Sequence, residues 1–160
     1  MLASDGARSE TSHKVKEVLR HFCIDDWQSE PMKQFQNYVE RQIQIVKRMV
    51  NVLMDRTGSP ESTWLLCLLY VCYILNNVTH SSLKDKTPLY MLTGQVNDIS
   101  PLLCFRWYEP VLYKVEESFP NSEEKSGCFV GIAENIGHHM TFKILTDDTH
   151  KVITWSEIRS

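Results

Sequence analysis

The sequence predicts an α+β chain, helical in its first part and strand-rich in its last. Two observations carry that expectation. Up to about Gly94 the apolar residues recur at helical spacing, and beyond Asp98 they gather into short β-branched and aromatic runs separated by turn-forming stretches. A third bounds it: 160 residues, 42% hydrophobic and 23% charged, can bury one sizeable core or a domain with a small module.

Each element has its own signal. Val15, Val18, Leu19 and Phe22 repeat at i, i+3, i+4, i+7 behind Ser9, Thr11 and Ser12, which can cap a helix. This helix is expected to bury that stripe. Cys23-Ile24 is a candidate strand end, followed by a polar loop from Asp25 to Gln36 that contains Pro31. A second helix is expected from Asn37 to Thr57, with Val39, Ile43, Val46, Val50 and Leu53 on its buried stripe and Gly58 as its stop. Ser59-Pro60 restarts a helix with Ser as N-cap and Pro at the first position, running to about Asn76. It is apolar nearly all round, which predicts enclosure on most sides. Thr87-Pro88 opens a short helix that Gly94 ends.

Four runs then read as strands: 111–115, 128–132, 141–145 and 151–155. The stretches Phe119 to Gly127, Glu134 to His138 and Thr146 to His150 read as turns. A small antiparallel barrel or meander is the economical outcome.

Composition narrows the function classes. Seventeen Lys and Arg against 20 Asp and Glu give a net charge of −3, so no global basic signature of a nucleic-acid binder is present. Cys23, Cys67, Cys72, Cys104 and Cys128 are odd in number and contain no C-x-x-C pair, as expected of reduced thiols in a nuclear or cytoplasmic protein. The first residues are neither basic nor followed by an apolar stretch, so secretion is not expected, and the sequon Asn77-Val78-Thr79 is read as unused. The longest apolar run, Trp64 to Leu75, is well short of the roughly 20 residues that span a bilayer. No membrane partner is expected.

Two carboxylates stand out by context: Asp5 in Ser4-Asp5-Gly6, and Glu40 near the start of the second helix. Glu40, Gln44 and Lys47 fall at i, i+4, i+7, which lines a carboxylate, an amide and an ammonium along one helix edge. Phosphodiester chemistry uses this combination, with carboxylates binding Mg²⁺ and cationic or amide groups holding the backbone. An Asp-Gly turn and a Glu favoured by the helix dipole explain the same residues without function. Between Glu40 and Arg56 four basic groups (Arg41, Lys47, Arg48, Arg56) face two acidic ones, whereas from Ser59 onward eight basic groups face twelve acidic ones. Phosphate contact is therefore expected on the second helix. His138-His139 with Cys128 read as turn or surface groups, since adjacent imidazoles on a strand point apart. The acidic groups Glu116, Glu117, Glu123 and Glu124 read as a solvated loop.

Gln28-Ser29-Glu30-Pro31, Gln36-Asn37, Glu40-Arg41, Gln44 and Lys47 together resemble the segment around the catalytic glutamate of copia-type retrotransposon integrases. Ser4-Asp5-Gly6 followed by Ser9 resembles that family's second aspartate motif. Trp64, Thr87-Pro88, Thr93-Gly94 and the strand-rich tail resemble the helical extension and SH3-like barrel that follow the core. The resemblance implies three segments: a partial ribonuclease-H-like integrase core over 1–58, a helical extension or linker over 59–98, and a small antiparallel SH3-like β-barrel over 99–160. It implies that Asp5 and Glu40 are catalytic Mg²⁺ (or Mn²⁺) ligands, with 34 residues between them. It also implies that Gln44, Lys47, Arg48 and Arg41 face element and target DNA. The sequence departs from the family pattern at Tyr38, where a glycine is usual, and at Gln34 or Phe35, where a second proline is usual. The first aspartate of the triad has no counterpart in the chain. A fragment inactive by itself is the expectation, and the alternative is a non-catalytic remnant that binds DNA or associates with a second copy through its apolar third helix.

Overall fold

The computed structural model describes residues 2–4, 12–28, 37–116, 122–134 and 136–160. It is a mixed helix and sheet fold, and the chain divides into two compact units, Met1–Arg48 and Met49–Ser160.

In the first unit, strands β1 (Leu2–Ser4) and β2 (Asp26–Gln28) pair in parallel, Leu2 opposite Asp26 and Ser4 opposite Gln28, and helix α1 (His13–His21) connects them. Two parallel strands need such a crossover because a tight turn cannot join them. Ser12 takes the extended N-cap conformation but its side chain makes no cap bond, while Ser9 and Thr11 lie outside the described residues. The far end closes with Cys23 in the left-handed region (φ 52°). The Ile24 N–H donates to the Leu19 carbonyl (2.9 Å) and the Cys23 N–H to that of Arg20 (3.2 Å). This closure corrects the expectation of a strand end at Cys23-Ile24: those residues terminate the helix, and the strand follows at Asp26. The predicted apolar stripe is corrected too. Leu19 is buried, but Val18 and Phe22 are 54% and 65% exposed, because a two-stranded sheet is too small to cover the stripe.

Helix α2 (Tyr38–Thr57) begins in the first unit and ends in the second. Its last turn is held by the Thr57 hydroxyl, which donates to the Leu53 carbonyl (2.8 Å), and by Gly58 (φ 65°), whose N–H donates to the Met54 carbonyl (2.9 Å). The second unit continues with a 3₁₀ turn (Glu61–Thr63), helix α3 (Trp64–Asn77) and helix α4 (Pro88–Thr93). Pro60 is extended and precedes the turn, and the Ser59 hydroxyl accepts the Trp107 indole N–H (3.4 Å) where a helix cap was expected. The short helix is as expected: the Thr87 hydroxyl accepts the Tyr90 N–H (3.1 Å), and Gly94 closes the far end.

Five strands follow: β3 (Pro110–Glu116), β4 (Ser122–Ile132), β5 (Phe142–Thr146), β6 (Val152–Trp155) and β7 (Ile158–Arg159). They form an open antiparallel sheet in the order β6-β5-β4-β3-β7. Ser156 and Glu157 are all that separate β6 from β7, yet the two strands lie at opposite edges. The sheet must curl to bring them together, and the Tyr113 and Trp155 rings, from strands three places apart, are 6.0 Å apart. Residues 122–127, expected in a turn, instead extend β4, because backbone pairing with β3 from Glu116–Ser122 to Pro110–Cys128 overrides the weak strand propensity of Ser122–Lys125.

Phe129, Phe142, Ile144 and Val111 are almost completely buried, and Phe105 lies edge-on to Phe142 (5.2 Å). Helix α3 contributes Tyr70, stacked on Trp107 (5.3 Å) and edge-on to Phe129 (5.9 Å). Gly127 is required here: a Cβ at that position would sit 2.7 Å from both Ile144 Cγ2 and the Leu145 carbonyl oxygen. The expected enclosure of α3 is corrected. Cys67, Tyr70 and Val71 are buried, but Trp64, Leu65 and Leu69 are exposed, because the sheet covers one face only.

Candidate functional site

The helix that carries the predicted site residues starts on an asparagine. Asn37 is buried (7% exposed), its Oδ1 accepts the Val39 N–H (3.0 Å), and its carbonyl accepts the Arg41 N–H (3.1 Å). An Asn in this role satisfies donors that a helix start leaves without partners. Sequence reasoning used Asn37 only as part of a motif, although Asn directly before a helical pattern is itself a cap signal.

Glu40 therefore stands in the first turn, where the helix dipole favours an anion. It is half-buried, and its Oε2 is shielded from solvent with no hydrogen-bond partner among the described residues. A carboxylate oxygen without a partner is costly, and cation coordination is one way to satisfy it. Arg41 lies over the Tyr38 ring, 5.4 Å from its centroid.

Beyond the first turn, Arg41, Gln44, Lys47 and Arg48 are all exposed. At about 100° per residue they fall, with Glu40, inside a sector of roughly 120°. No acidic residue follows Glu40 in the helix until Asp55, so this sector presents three cations and an amide behind one carboxylate. The structure thus brings Glu40, Arg41, Gln44, Lys47 and Arg48 to one side of one helix. The apolar stripe expected to anchor it is only partly buried. Val50 is covered, whereas Val39 and Ile43, within the first unit, are open to solvent.

Asp5 lies outside the described residues; Ser4, which precedes it, ends β1. Among the described residues no three His, Cys, Asp or Glu side chains gather where they could hold a metal ion. His138 and His139 stand in the connection between β4 and β5, as expected of turn or surface groups, with ring centroids 5.1 Å apart. Both are exposed, and His138 Nδ1 accepts the Met140 N–H (2.9 Å). The acidic hairpin is paired in part: Glu124 meets Arg159 at 2.6 Å and Glu123 meets Lys125 at 3.6 Å.

The second unit holds no activated thiol among its shifted cysteines. Burial pushes the Cys67 thiol up to about 11, and burial with Asp147 nearby raises that of Cys128. Both stay protonated at neutral pH and are poor nucleophiles. Two grooves open on this unit, of about 610 Å³ between the end of α2 and the start of α3 and about 270 Å³ beside β3 and β7. Neither is lined by Glu40 or the basic sector. Among the described residues no helix is long and apolar enough to cross a membrane. No protein-family model matches the sequence, and no curated protein is significantly similar to it.

Proposed function

We propose that the chain is the C-terminal portion of a copia-type retrotransposon integrase, comprising part of a ribonuclease-H-like core, a helical extension and an SH3-like barrel. The observation that carries this reading is the Glu40 Oε2, without a hydrogen-bond partner among the described residues, at the head of a helix whose same side bears Arg41, Gln44, Lys47 and Arg48. A parallel strand–helix–strand unit whose first strand ends one residue before Asp5 supports it, since α/β units bind ligands beyond the carboxyl ends of their strands. The curled order β6-β5-β4-β3-β7 supports a barrel-like module.

Glu40 and Asp5 would hold Mg²⁺ or Mn²⁺, which when bound supplies charge stabilisation at a phosphodiester under attack by a DNA 3′-hydroxyl. Asn37 fixes the turn that aims Glu40. Arg41, Lys47 and Arg48 contribute sequence-independent attraction for DNA phosphates, and Gln44 a hydrogen-bonding amide. With two of the family's three carboxylates, this chain is expected to bind a divalent ion weakly and not to turn over by itself.

Mn²⁺ titration followed by NMR tests the reading. Amide signals of residues 37–41 should broaden at millimolar Mn²⁺, and Glu40→Gln should abolish the effect; no broadening there would overturn the assignment. Strand-transfer activity of the 160 residues alone that is lost in Glu40→Gln would overturn the claim of inactivity. The exposed basic sector also favours a second reading, a non-catalytic DNA-binding remnant, in which Mn²⁺ has no effect and DNA binding persists in Glu40→Gln.

A further inference from the structure

The groove of about 610 Å³ between the end of α2 and the start of α3 is built from one helix edge and the connection that follows it. Asn51, Asp55 and Gly58 line it at i, i+4, i+7, so the last two turns of α2 supply one wall. Glu61, from the 3₁₀ turn, and Trp64, the first residue of α3, line it from the connection. That connection is held at two points. The Ser59 hydroxyl accepts the Trp107 indole N–H (3.4 Å), and the Pro60 carbonyl accepts both the Thr63 hydroxyl (2.7 Å) and the Thr63 N–H (2.9 Å). A Cβ added at Gly58 would meet nothing within 4 Å, so the space beside the helix end is open.

Three separate features of this groove attract a cation. Asp55 and Glu61 are exposed carboxylates, and among the described residues no ion pair engages either. Asp55 also stands in the last turn of a 20-residue helix, where the dipole gathers negative charge. Among the described residues no backbone N–H donates to the carbonyls of Asp55, Arg56 or Thr57. Trp64 is 56% exposed, although an indole is ordinarily well buried, and its ring face is the aromatic surface that draws cations most strongly. Arg56 follows Asp55 by about 100° around the helix and does not line the groove.

The donor set selects one kind of cation. A guanidinium is flat, so its face can stack on the indole while its edge donates in a fork to carboxylates. An ammonium is a compact, strongly hydrated point charge without a face to stack. The Asn51 side-chain carbonyl adds a neutral acceptor to the same wall. The volume lies within the range of sites that enclose a small ligand and exceeds what one bound ion needs.

We propose that this groove is a recognition site for an arginine side chain presented by an extended peptide segment of a partner protein. The inference rests on the second unit alone and does not depend on the carboxylate reading of the first.

An NMR titration of the full chain with the end-blocked peptide Gly-Ser-Arg-Ser-Gly tests it. The Trp64 indole N–H and the amides of residues 51–64 should shift saturably, with a Kd of about 1 mM or below. Peptides with citrulline, the neutral analogue, or lysine in place of arginine should bind at least about fivefold more weakly. The double variant Asp55→Asn, Glu61→Gln and the single variant Trp64→Ala should each weaken arginine-peptide binding by at least about fivefold, and Arg56→Ala should not weaken it. In case Trp64→Ala disturbs α3, the double variant changes exposed groups only, and unchanged β4 amide signals verify its fold. Absence of saturable shifts up to about 10 mM peptide would overturn the proposal. So would shifts centred on Glu123 and Glu124, equal binding of the citrulline or lysine peptide, or binding unchanged in the double variant.

Discussion

The two units differ in how they are held. In the second, Phe129, Phe142, Ile144 and Val111 are sealed within the sheet, and Tyr70 from α3, stacked on Trp107 from the segment before β3, joins the same aromatic cluster. In the first, Leu19 is the one buried hydrophobic residue among the described ones, and the sheet is a three-residue parallel pair. The candidate chemistry lies with the weaker unit: Glu40 and the basic sector are in the first, while the well-packed unit holds protonated thiols and paired surface charges. Segments that bind or move are drawn from the low-stability end of a fold, and their stability must come from a ligand or a neighbour.

That contrast can be broken by mutation. Phe129→Ala should cost about 3–5 kcal/mol in denaturant unfolding. Leu19→Ala should change the same transition by less than about 1 kcal/mol, because it releases only local structure; equal losses would erase the distinction. Next in size, Gly127→Ala should destabilise the second unit by about 1–3 kcal/mol, since the new methyl group meets Ile144 and backbone at 2.7 Å. Asn37→Ala should cost about 0.5–2 kcal/mol, confined to the first turn of α2. Hydrogen exchange of residues 38–41 should rise while that of β4 stays constant, and Asn37→Asp should restore protection.

The smallest change concerns Cys67. Its folded thiol, at about 11, lies above the ordinary value of 9.0, so between these limits the unfolded chain releases a proton that the folded chain retains. Stability from this group is therefore intact below pH 9 and falls as pH rises toward 11. The same shift lowers the thiolate fraction about 100-fold, so an alkylating reagent should label exposed Cys23 and Cys104 well before Cys67.

Much of the second unit was legible because its signals are local. The Thr87-Pro88 start and Gly94 stop, the Gly58 stop and the β-branched runs each act within a few residues. What failed depended on partners far away in sequence. The charged stretch Ser122–Lys125 becomes strand only because β3 lies beside it, and β7 is two residues long, too short for any periodicity. Ser59 looked like a helix cap because the Trp107 indole that claims its hydroxyl is 48 residues away. The stripes of α1 and α3 were read correctly as apolar, but period alone cannot say whether anything covers them. At the site, Glu40, Gln44 and Lys47 were legible from spacing, as was their shared helix edge. The lack of a partner for Glu40 Oε2 among the described residues was not, since it depends on every neighbouring side chain.

The most direct test of the basic sector as a DNA-facing edge is the salt dependence of duplex DNA binding, measured by fluorescence anisotropy from about 50 mM to 200 mM salt. The wild-type chain should bind with a steep negative slope of log K against log salt. The combined variant Arg41→Ala, Lys47→Ala, Arg48→Ala should flatten that slope by up to about 2.7. Absence of binding at the lowest salt, or a slope unchanged in the triple variant, would contradict the account.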